Sequence, residues 1–158
     1  MSEFTHLDAH GSAHMVDVSE REVTDRASTA AGFVVLQPAT VAAIRDSSVP
    51  KGDVLATART AGLMAAKRTS DLIPLCHPIA ITYADVALQV VDAGIEIAAD
   101  VRIKDRTGVE MEALTAVAVA GLTIIDMVKS MDPGATLTNI RVLKKSGGRS
   151  GVWTNVEL

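Results

Sequence analysis

The chain has 158 residues and a formal net charge of −4, with 48% apolar residues and only 3% aromatic residues. This length is typical of a single domain with a substantial core, which must be built mainly from Ala, Val, Ile and Leu. The acidic balance argues against a general nucleic-acid-binding protein, because such domains usually carry an excess of basic residues.

The first part of the chain, residues 1–30, is rich in polar residues and has neither a helical nor a strand period. We therefore predict a mobile or weakly docked arm at 1–30 and a single folded domain at 31–158. The start of the arm, up to His10, lacks the apolar segment of a signal peptide. His6, His10 and His14 recur at regular spacing, but no cysteine or carboxylate pattern completes a ligand set, and we predict no metal site.

Three elements are predicted in the first half of the folded domain: a buried strand at 32–36, a short helix at 40–46 and a longer helix from 52 to about 69. One stripe of the longer helix carries Val54, Ala58, Ala61, Gly62 and Ala65. Because small residues at helical spacing leave room on the helix surface, we expect a second helix or a sheet to pack closely there.

A stiffened loop follows the longer helix and ends in Pro74-Leu75-Cys76-His77-Pro78. Each proline fixes its own φ and holds the preceding residue in an extended conformation, so His77 is presented at a defined angle. Such presentation of a titratable ring is typical of a binding or catalytic site. Adjacent residues usually point apart, so we interpret Cys76 as a small packed thiol rather than as a nucleophile paired with His77. As the single cysteine it forms no internal disulfide, which favours the reducing cytoplasm.

A β-hairpin is predicted in the middle of the chain. Apolar and polar residues alternate at 85–90 and at 95–104, and Asp92-Ala93-Gly94 between them is a typical hairpin turn. A last strand is predicted at 138–144. With a long helix between the hairpin and this strand, the order β-α-α-β-β-α-β is typical of a ferredoxin-like α+β sandwich, an antiparallel sheet with helices on one face.

The long helix is predicted from Val109 to Met131, and Thr107 and Glu110 have the spacing of a capping box at its start. Its middle, residues 113–125, contains no charged residue and is expected to be buried on all sides. Since one small domain rarely covers a helix completely, we infer that this helix forms an oligomer interface. Charges interrupt the apolar runs of the chain, so we predict no membrane-spanning segment.

Three charged residues flank this apolar middle: Glu112, Asp126 and Lys129. Glu112 and Asp126 differ by only about 40° in direction but lie roughly 21 Å apart along the helix axis, so they cannot meet within one helix. They can serve one pocket only when another subunit or a long ligand bridges them. Asp126 and Lys129 are surface neighbours and form either an ordinary ion pair or an acid–base couple whose pKa values burial would shift.

Two basic clusters are candidates for binding an anion. The first consists of Lys67 and Arg68 at the end of the longer helix. The alternative to anion binding there is a solvated basic pair, which interacts favourably with the negative end of the helix dipole. The second cluster follows the last strand and consists of Lys144, Lys145, Gly147, Gly148, Arg149 and Gly151. Its glycines and cations are typical of a phosphate cradle, although not of a Walker A loop because no helix follows, and a flexible basic tail is the alternative.

Several segments of the sequence match one known family. They are Thr5-His6-Leu7-Asp8, Met15-Val16-Asp17-Val18-Ser19, Lys51-Gly52-Asp53-Val54, Ala56-Thr57-Ala58-Arg59, Ala65-Ala66-Lys67-Arg68-Thr69, Asp71-Leu72-Ile73-Pro74-Leu75-Cys76-His77-Pro78, Thr107-Gly108-Val109-Glu110-Met111-Glu112-Ala113-Leu114-Thr115, Asp126-Met127, Lys129 and Lys145-Ser146-Gly147-Gly148. The loop around His77 and the start of the long helix are long and specific motifs. On these segments, nearly the whole chain resembles the molybdenum cofactor biosynthesis protein C family, the cyclic pyranopterin monophosphate synthases.

The resemblance implies a lyase that rearranges a cyclised dihydro-GTP nucleotide to cyclic pyranopterin monophosphate and expels pyrophosphate. It also implies a homo-oligomer, a hexamer built as a trimer of dimers, with active sites at subunit interfaces. Its partner is a nucleotide-derived small molecule rather than a nucleic acid or a membrane. No cofactor is implied, and Mg²⁺ accompanying the substrate phosphates is compatible with the sequence but is not predicted from it.

The same resemblance implies the site residues. Asp126 and Lys129 are the implied catalytic couple, with Lys129 as general acid or base and Asp126 orienting it. The implied substrate contacts are Leu75, Cys76, His77, Met111, Glu112, Lys51, Lys67, Lys145 and Arg26. We interpret Glu110 mainly as a helix-capping residue. The segment at the C-terminus matches no family pattern, and we interpret its Trp153 as a packing residue. A non-catalytic ferredoxin-like nucleotide-binding oligomer and a structural oligomer are the alternatives.

Overall fold

Five strands and four helices make up the described part of the chain, which consists of Leu7, residues 10–149 and residues 151–155 of a computed structural model. In chain order they are β1 (Thr24–Val35), α1 (Pro38–Arg45), α2 (Val54–Ala66), α3 (Thr69–Leu72), β2 (Ile81–Val91), β3 (Gly94–Asp105), α4 (Glu110–Val128), β4 (Thr136–Ser146) and β5 (Trp153–Thr154). The strands form one sheet in the order β2-β3-β1-β4-β5, and every neighbouring pair is antiparallel. The order of the four long strands is that of a ferredoxin-like sandwich, so the predicted α+β fold is confirmed.

The helices cover one face of this sheet. α4 lies across β1, β4 and β3, and α2 packs beside α4 and against β2. Along β1, Ala30 and Val34 point toward the helices and are fully buried, whereas Ala31 and Phe33 between them are only partly covered. The core therefore lies between the helix layer and one face of the sheet.

The structure moves the predicted boundary between arm and domain. β1 begins at Thr24, so residues 24–30, which the sequence assigned to the arm, belong to the sheet, with Thr24 opposite Asp105 of β3. The strand was missed because one inward-facing residue is polar. Ser28 is 2% exposed, and its hydroxyl donates to the main-chain oxygen of Lys144 at 3.3 Å. A satisfied buried hydroxyl is tolerated in a core, but it interrupts the apolar alternation that marks a strand.

α2 is the predicted longer helix, shortened at both ends. It begins after Asp53, whose carboxylate accepts a hydrogen bond from the backbone N–H of Ala56 at 2.9 Å, and it ends before the short helix α3. The predicted stripe is largely confirmed, since its buried members are Val54, Ala58, Gly62 and Ala65. At Gly62 the helices come very close: a Cβ there would lie 2.9 Å from the main-chain oxygen of Ala116 in α4.

α4 supplies the centre of the core, but the expectation that it is buried on all sides is wrong for the single chain. Ala113, Val117 and Ile124 are 0% exposed, whereas Leu122 is 58% exposed. By length and apolar composition, α4 is the one helix among the described residues that matches a membrane span. A buried core helix meets the same criterion, and 56% of its most apolar stretch is buried inside the protein.

β5 extends the sheet beyond β4 and was not predicted. Its Trp153 lies opposite Lys145 and is 44% exposed, so the interpretation of Trp153 as a packing residue is not supported in the single chain. A strand of 2 residues contains too little alternation to be recognised in a sequence.

Gly62→Val tests the close contact between α2 and α4. The added side chain would meet the main-chain oxygen of Ala116 and the Cβ of Ala120, which lies 3.3 Å from the Cβ position. We expect the free energy of unfolding to fall by about 1–3 kcal/mol through overpacking, measured by urea denaturation followed by circular dichroism. Ala56→Val, at an exposed position of the same helix, is the control and should cost about 0.5 kcal/mol. Equal losses in the two variants would contradict a tight contact at Gly62.

Candidate functional site

The structure gathers most of the predicted site residues into two places at opposite ends of α4. The first is a cleft of about 420 Å³ beside the helix N-terminus, and the predicted residues that line it are Arg26, Leu75, Cys76, His77, Met111, Glu112 and Lys145. The second, here called the distal cluster, joins Lys51, Asp126 and Lys129 at the other end of the helix. Lys67 lies in neither group, since it is the exposed residue that ends α2.

The loop between α3 and β2 presents His77 to the cleft. The Nε2 atom of His77 lies 2.8 Å from the main-chain oxygen of Val16, and since a carbonyl only accepts hydrogen bonds, this nitrogen carries the hydrogen. The segment before β1 therefore lies against the loop, and Val16 and Val18 form part of the cleft wall. No sequence pattern indicated these two valines, because they belong to an irregular segment without a helical or strand period.

Cys76 is a partly buried thiol of the cleft wall. Burial and, to a smaller extent, the negative charge of Glu112 raise the pKa of this thiol. A thiol with a raised pKa stays protonated at neutral pH and is a poor nucleophile. The surroundings of Cys76 therefore support the interpretation of a packed thiol over that of a nucleophile.

Glu112 is a carboxyl group only 4% exposed, in the first turn of α4. Burial raises its pKa to about 7; a hydrogen bond from its own backbone N–H opposes this increase, and the charge of Glu110 adds to it. Glu112 can therefore accept or donate a proton near neutral pH, which general acid–base catalysis requires. The sequence predicted Glu112 only as a contact, because its burial depends on elements that are distant in the chain.

Arg26 brings positive charge into the cleft. Its Nε atom donates to the main-chain oxygen of Asp105 and its Nη2 atom to that of Arg106, each at 3.1 Å. Both acceptors are neutral, and Arg26 forms no ion pair with a carboxylate anywhere in the described ranges. The guanidinium is thus held in place with its charge uncompensated, which suits an anionic ligand.

Lys145 is a second cation of the cleft, and its Nζ atom lies 3.0 Å from a carboxylate oxygen of Glu110. The predicted capping box at Thr107 and Glu110 is wrong, because α4 begins after Val109 without a side-chain cap. Glu110 instead pairs with Lys145 of β4, because a charged donor makes a stronger hydrogen bond than a backbone N–H. The sequence could not show this contact, since the two residues are far apart in the chain.

Asp126 is the centre of the distal cluster. Its Oδ1 atom lies 2.8 Å from Lys129 Nζ and its Oδ2 atom 3.0 Å from Lys51 Nζ, while Lys51 also donates to the main-chain oxygen of Asp126 at 2.6 Å. Hydrogen bonds from Lys129 and then Lys51 lower the pKa of Asp126 to about 2, so this carboxylate is ionised at neutral pH. The side chains are 40% exposed at Lys51, 57% at Asp126 and 60% at Lys129. Exposed ion pairs contribute little to stability.

The cleft and the distal cluster do not form one pocket within a chain. Glu112 and Asp126 are separated by most of α4, roughly 21 Å along the helix axis. None of the described residues that line the cleft belongs to the distal cluster. The structure of one chain therefore places the predicted site residues other than Lys67 in two separate groups.

The segment before β1 adds a cleft residue that was not predicted. Arg21 lines the cleft, and its main-chain oxygen accepts a hydrogen bond from Arg106 Nε at 3.0 Å. Arg21 escaped prediction because it lies in the part of the chain assigned to a mobile arm. Within the ranges that the structure covers, no group of three or more His, Cys, Asp or Glu side chains is placed to hold a metal ion, and His6 lies outside them.

Comparisons with known proteins point to one family. The sequence model of the MoaC family matches residues 15–148. The chain is 57% identical over 150 residues to the cyclic pyranopterin monophosphate synthase of Streptomyces coelicolor, covering 95% of this chain and 88% of that protein. It is 59% identical over 152 residues to cyclic pyranopterin monophosphate synthase 2 of Mycobacterium bovis, covering 96% and 91%. A synthase of the same name from Dinoroseobacter shibae is 58% identical over 155 residues, with 96% and 97% covered.

We expect Glu112 to make the stability of the protein depend on pH. Its pKa is about 7 in the folded chain against an ordinary value of 4.5, so between these values the folded state binds a proton that the unfolded state has lost. The free energy of unfolding should therefore fall as pH rises from about 5 to about 8, by on the order of 2 kcal/mol. Urea titrations at both pH values measure the change.

Glu112→Gln should remove this part of the pH dependence, because the amide does not titrate. Glu96→Gln, at an exposed position of β3, controls for the loss of a carboxylate elsewhere. If Glu112→Gln keeps the pH dependence of the parent protein, Glu112 is not its source.

Proposed function

Because the chain belongs to the MoaC family, we propose that it is a cyclic pyranopterin monophosphate synthase, a lyase of molybdenum cofactor biosynthesis. In this reaction a cyclised dihydro-GTP nucleotide is rearranged to cyclic pyranopterin monophosphate, and pyrophosphate leaves. The observation that carries the assignment is the extent of the family match, since residues 15–148 include both the cleft and the distal cluster.

The cleft is the proposed binding site for the nucleotide-derived substrate. The uncompensated charge of Arg26 attracts the phosphates, and Lys145 joins it once the substrate competes with Glu110. The partly apolar wall contacts the ring system through Leu75, Cys76 and Met111. Lys51 and Lys67 are the further proposed contacts, both on the exposed surface of the helix layer.

Proton transfer is the proposed role of the ionisable groups. Glu112, with a pKa of about 7, exchanges a proton near neutral pH, and His77 carries a hydrogen on the nitrogen at the cleft. Lys129 acts as general acid or base, and Asp126 orients it through the ion pair at 2.8 Å. Ring opening and pterin formation both require such transfers.

A complete active site requires two subunits in this proposal. Lys129 lies roughly 25 Å from Glu112 of its own chain along α4, so the distal cluster of one subunit serves the cleft of a neighbour. Exposed apolar side chains on the helix layer support such contact, with Met64 51% exposed and Leu122 58% exposed. We propose a hexamer built as a trimer of dimers.

No resident cofactor and no metal site are part of the proposed mechanism, because it consists of a rearrangement and a phosphoryl displacement that acid–base groups and cations can support. Mg²⁺ is not assigned a role. We place the reaction in the cytoplasm, since the single cysteine suits a reducing compartment.

Lys129→Ala should lower turnover about a hundredfold or more, the scale of losing a general acid or base, while the oligomer and substrate binding stay intact. Product formation measured with the cyclised nucleotide tests this, and Lys104→Ala, an exposed lysine of β3, is the matched control. Turnover equal to that of the control would remove Lys129 from the mechanism. Nucleotide binding without turnover in the parent protein would favour the non-catalytic nucleotide-binding oligomer.

Mixing two inactive variants tests whether subunits share active sites. His77→Ala damages the cleft and Lys129→Ala damages the distal cluster, so a mixed oligomer contains sites in which both halves are intact. We expect activity to reappear after the two variants are dissociated and reassembled together, and to stay absent when each is reassembled alone. No recovery in oligomers shown by mass spectrometry to be mixed would contradict shared sites.

A further inference from the structure

The segment before β1, residues 16–23, lies outside the sheet and yet forms part of the cleft wall. The antiparallel ladder between β1 and β3 ends at Thr24, opposite Asp105, so this ladder does not reach the residues before Thr24. Three residues of the segment line the cleft: Val16, Val18 and Arg21. The shape of the cleft therefore depends on the contacts that hold the segment against the domain.

Two hydrogen bonds between described residues tie this segment to the folded domain. At one end, the main-chain oxygen of Val16 accepts from Nε2 of His77 at 2.8 Å. At the other end, the main-chain oxygen of Arg21 accepts from Nε of Arg106 at 3.0 Å. Between these points the segment folds on itself, since the N–H of Arg21 donates to the oxygen of Val18 at 3.0 Å. Arg106 is thus the second of two anchors, and its loss would leave the segment held at one point.

Arg106 connects three parts of the molecule that meet at the end of β3. Its N–H donates to a carboxylate oxygen of Asp105 at 2.6 Å, which fixes the start of the loop between β3 and α4. Its main-chain oxygen accepts from Nη2 of Arg26 at 3.1 Å, and its side chain holds Arg21. The loop before α4, the guanidinium of Arg26 and the segment before β1 are therefore fixed relative to one another at a single residue.

The side chain of Arg106 acts on the cleft from outside. It is exposed, and Arg106 is not among the described residues that line the cleft. An ordinary solvated arginine is the alternative interpretation. The contact with Arg21 favours the first one, because a main-chain oxygen in a segment without regular structure has no strand or helix partner of its own, and Arg106 supplies its donor.

We propose that Arg106 is a positioning residue, which holds the segment before β1 in the place where it completes the cleft wall. The effect on turnover rests on the proposed function, whereas the effect on the segment does not. When the segment detaches, the cleft loses one wall, so the fraction of free protein that is ready to bind falls and the apparent affinity falls with it. A bound substrate returns the segment to its place, so the rate at saturation is kept.

Hydrogen–deuterium exchange of the free full-length chain, measured by mass spectrometry, tests the segment directly. Arg106→Ala should speed exchange in peptides covering residues 16–23 by about three- to tenfold, the loss expected for one hydrogen bond, and leave α4 unchanged. Arg106→Lys should recover part of the protection, because a lysine ammonium still donates a hydrogen bond. Arg45→Ala is the matched control, since Arg45 is an exposed arginine bonded to Asp92 at 2.9 Å elsewhere in the chain.

Steady-state kinetics with the cyclised nucleotide separates positioning from a general loss of structure. Arg106→Ala should raise KM by about three- to tenfold while kcat stays within about twofold of the parent value, because binding selects the chains whose segment is in place. A partly unfolded protein would instead contain less active enzyme, which lowers kcat and leaves KM unchanged. Arg106→Lys should bring KM part of the way back.

Three results would overturn Arg106 as a positioning residue. They are unchanged exchange at residues 16–23 in Arg106→Ala, equal exchange in Arg106→Ala and Arg45→Ala, and a lower kcat at unchanged KM in Arg106→Ala. Because exchange is measured without substrate, its outcome is separate from that of the proposed function. A protein without synthase activity whose segment loosens in Arg106→Ala would refute the proposed function and keep Arg106 as the residue that holds the segment.

Discussion

The packing of α4 into the core is the constraint on which the rest of the structure depends. Its middle is fixed by close contact with α2 at Gly62 and with the sheet, so neither end of the helix can move independently. A rigid helix thereby fixes the distance between Glu112 and Asp126. The proposed assembly of active sites from two chains is a direct result, because no bending of one chain closes that distance.

The two carboxyl groups at the ends of α4 have opposite environments. Glu112 is almost fully buried in the wall of the cleft, and its pKa of about 7 allows it to exchange a proton near neutral pH. Asp126 lies between Lys51 and Lys129, and its pKa of about 2 makes it a permanent negative charge. Environments that separate the pKa values of like groups are typical of sites in which one group transfers protons and another orients its neighbour.

The fold was predictable from sequence because the alternation in β2, β3 and β4 and the long apolar stretch of α4 are local patterns. Most of the predicted residues that line the cleft were found through the stiffened loop around His77 and the family motifs. What escaped depends on contacts between distant segments. The buried Ser28 interrupts the apolar alternation at the start of β1, and Glu110 pairs with Lys145 rather than capping α4. Burial raises the pKa of Glu112 to about 7. None of these contacts can be recognised from the residues that are neighbours in the sequence.

The hydrogen bond between His77 and the main chain at Val16 makes ligand entry an exchange rather than a simple addition. The imidazole nitrogen already has an acceptor in the main-chain oxygen of Val16, so a ligand group that binds this nitrogen must displace that oxygen. The affinity for any ligand at His77 is therefore the difference between two acceptors. A ligand whose acceptor is weaker than the Val16 carbonyl gains no free energy by replacing it. The backbone oxygen of Val16 therefore competes with ligands for His77 and favours strong hydrogen-bond acceptors.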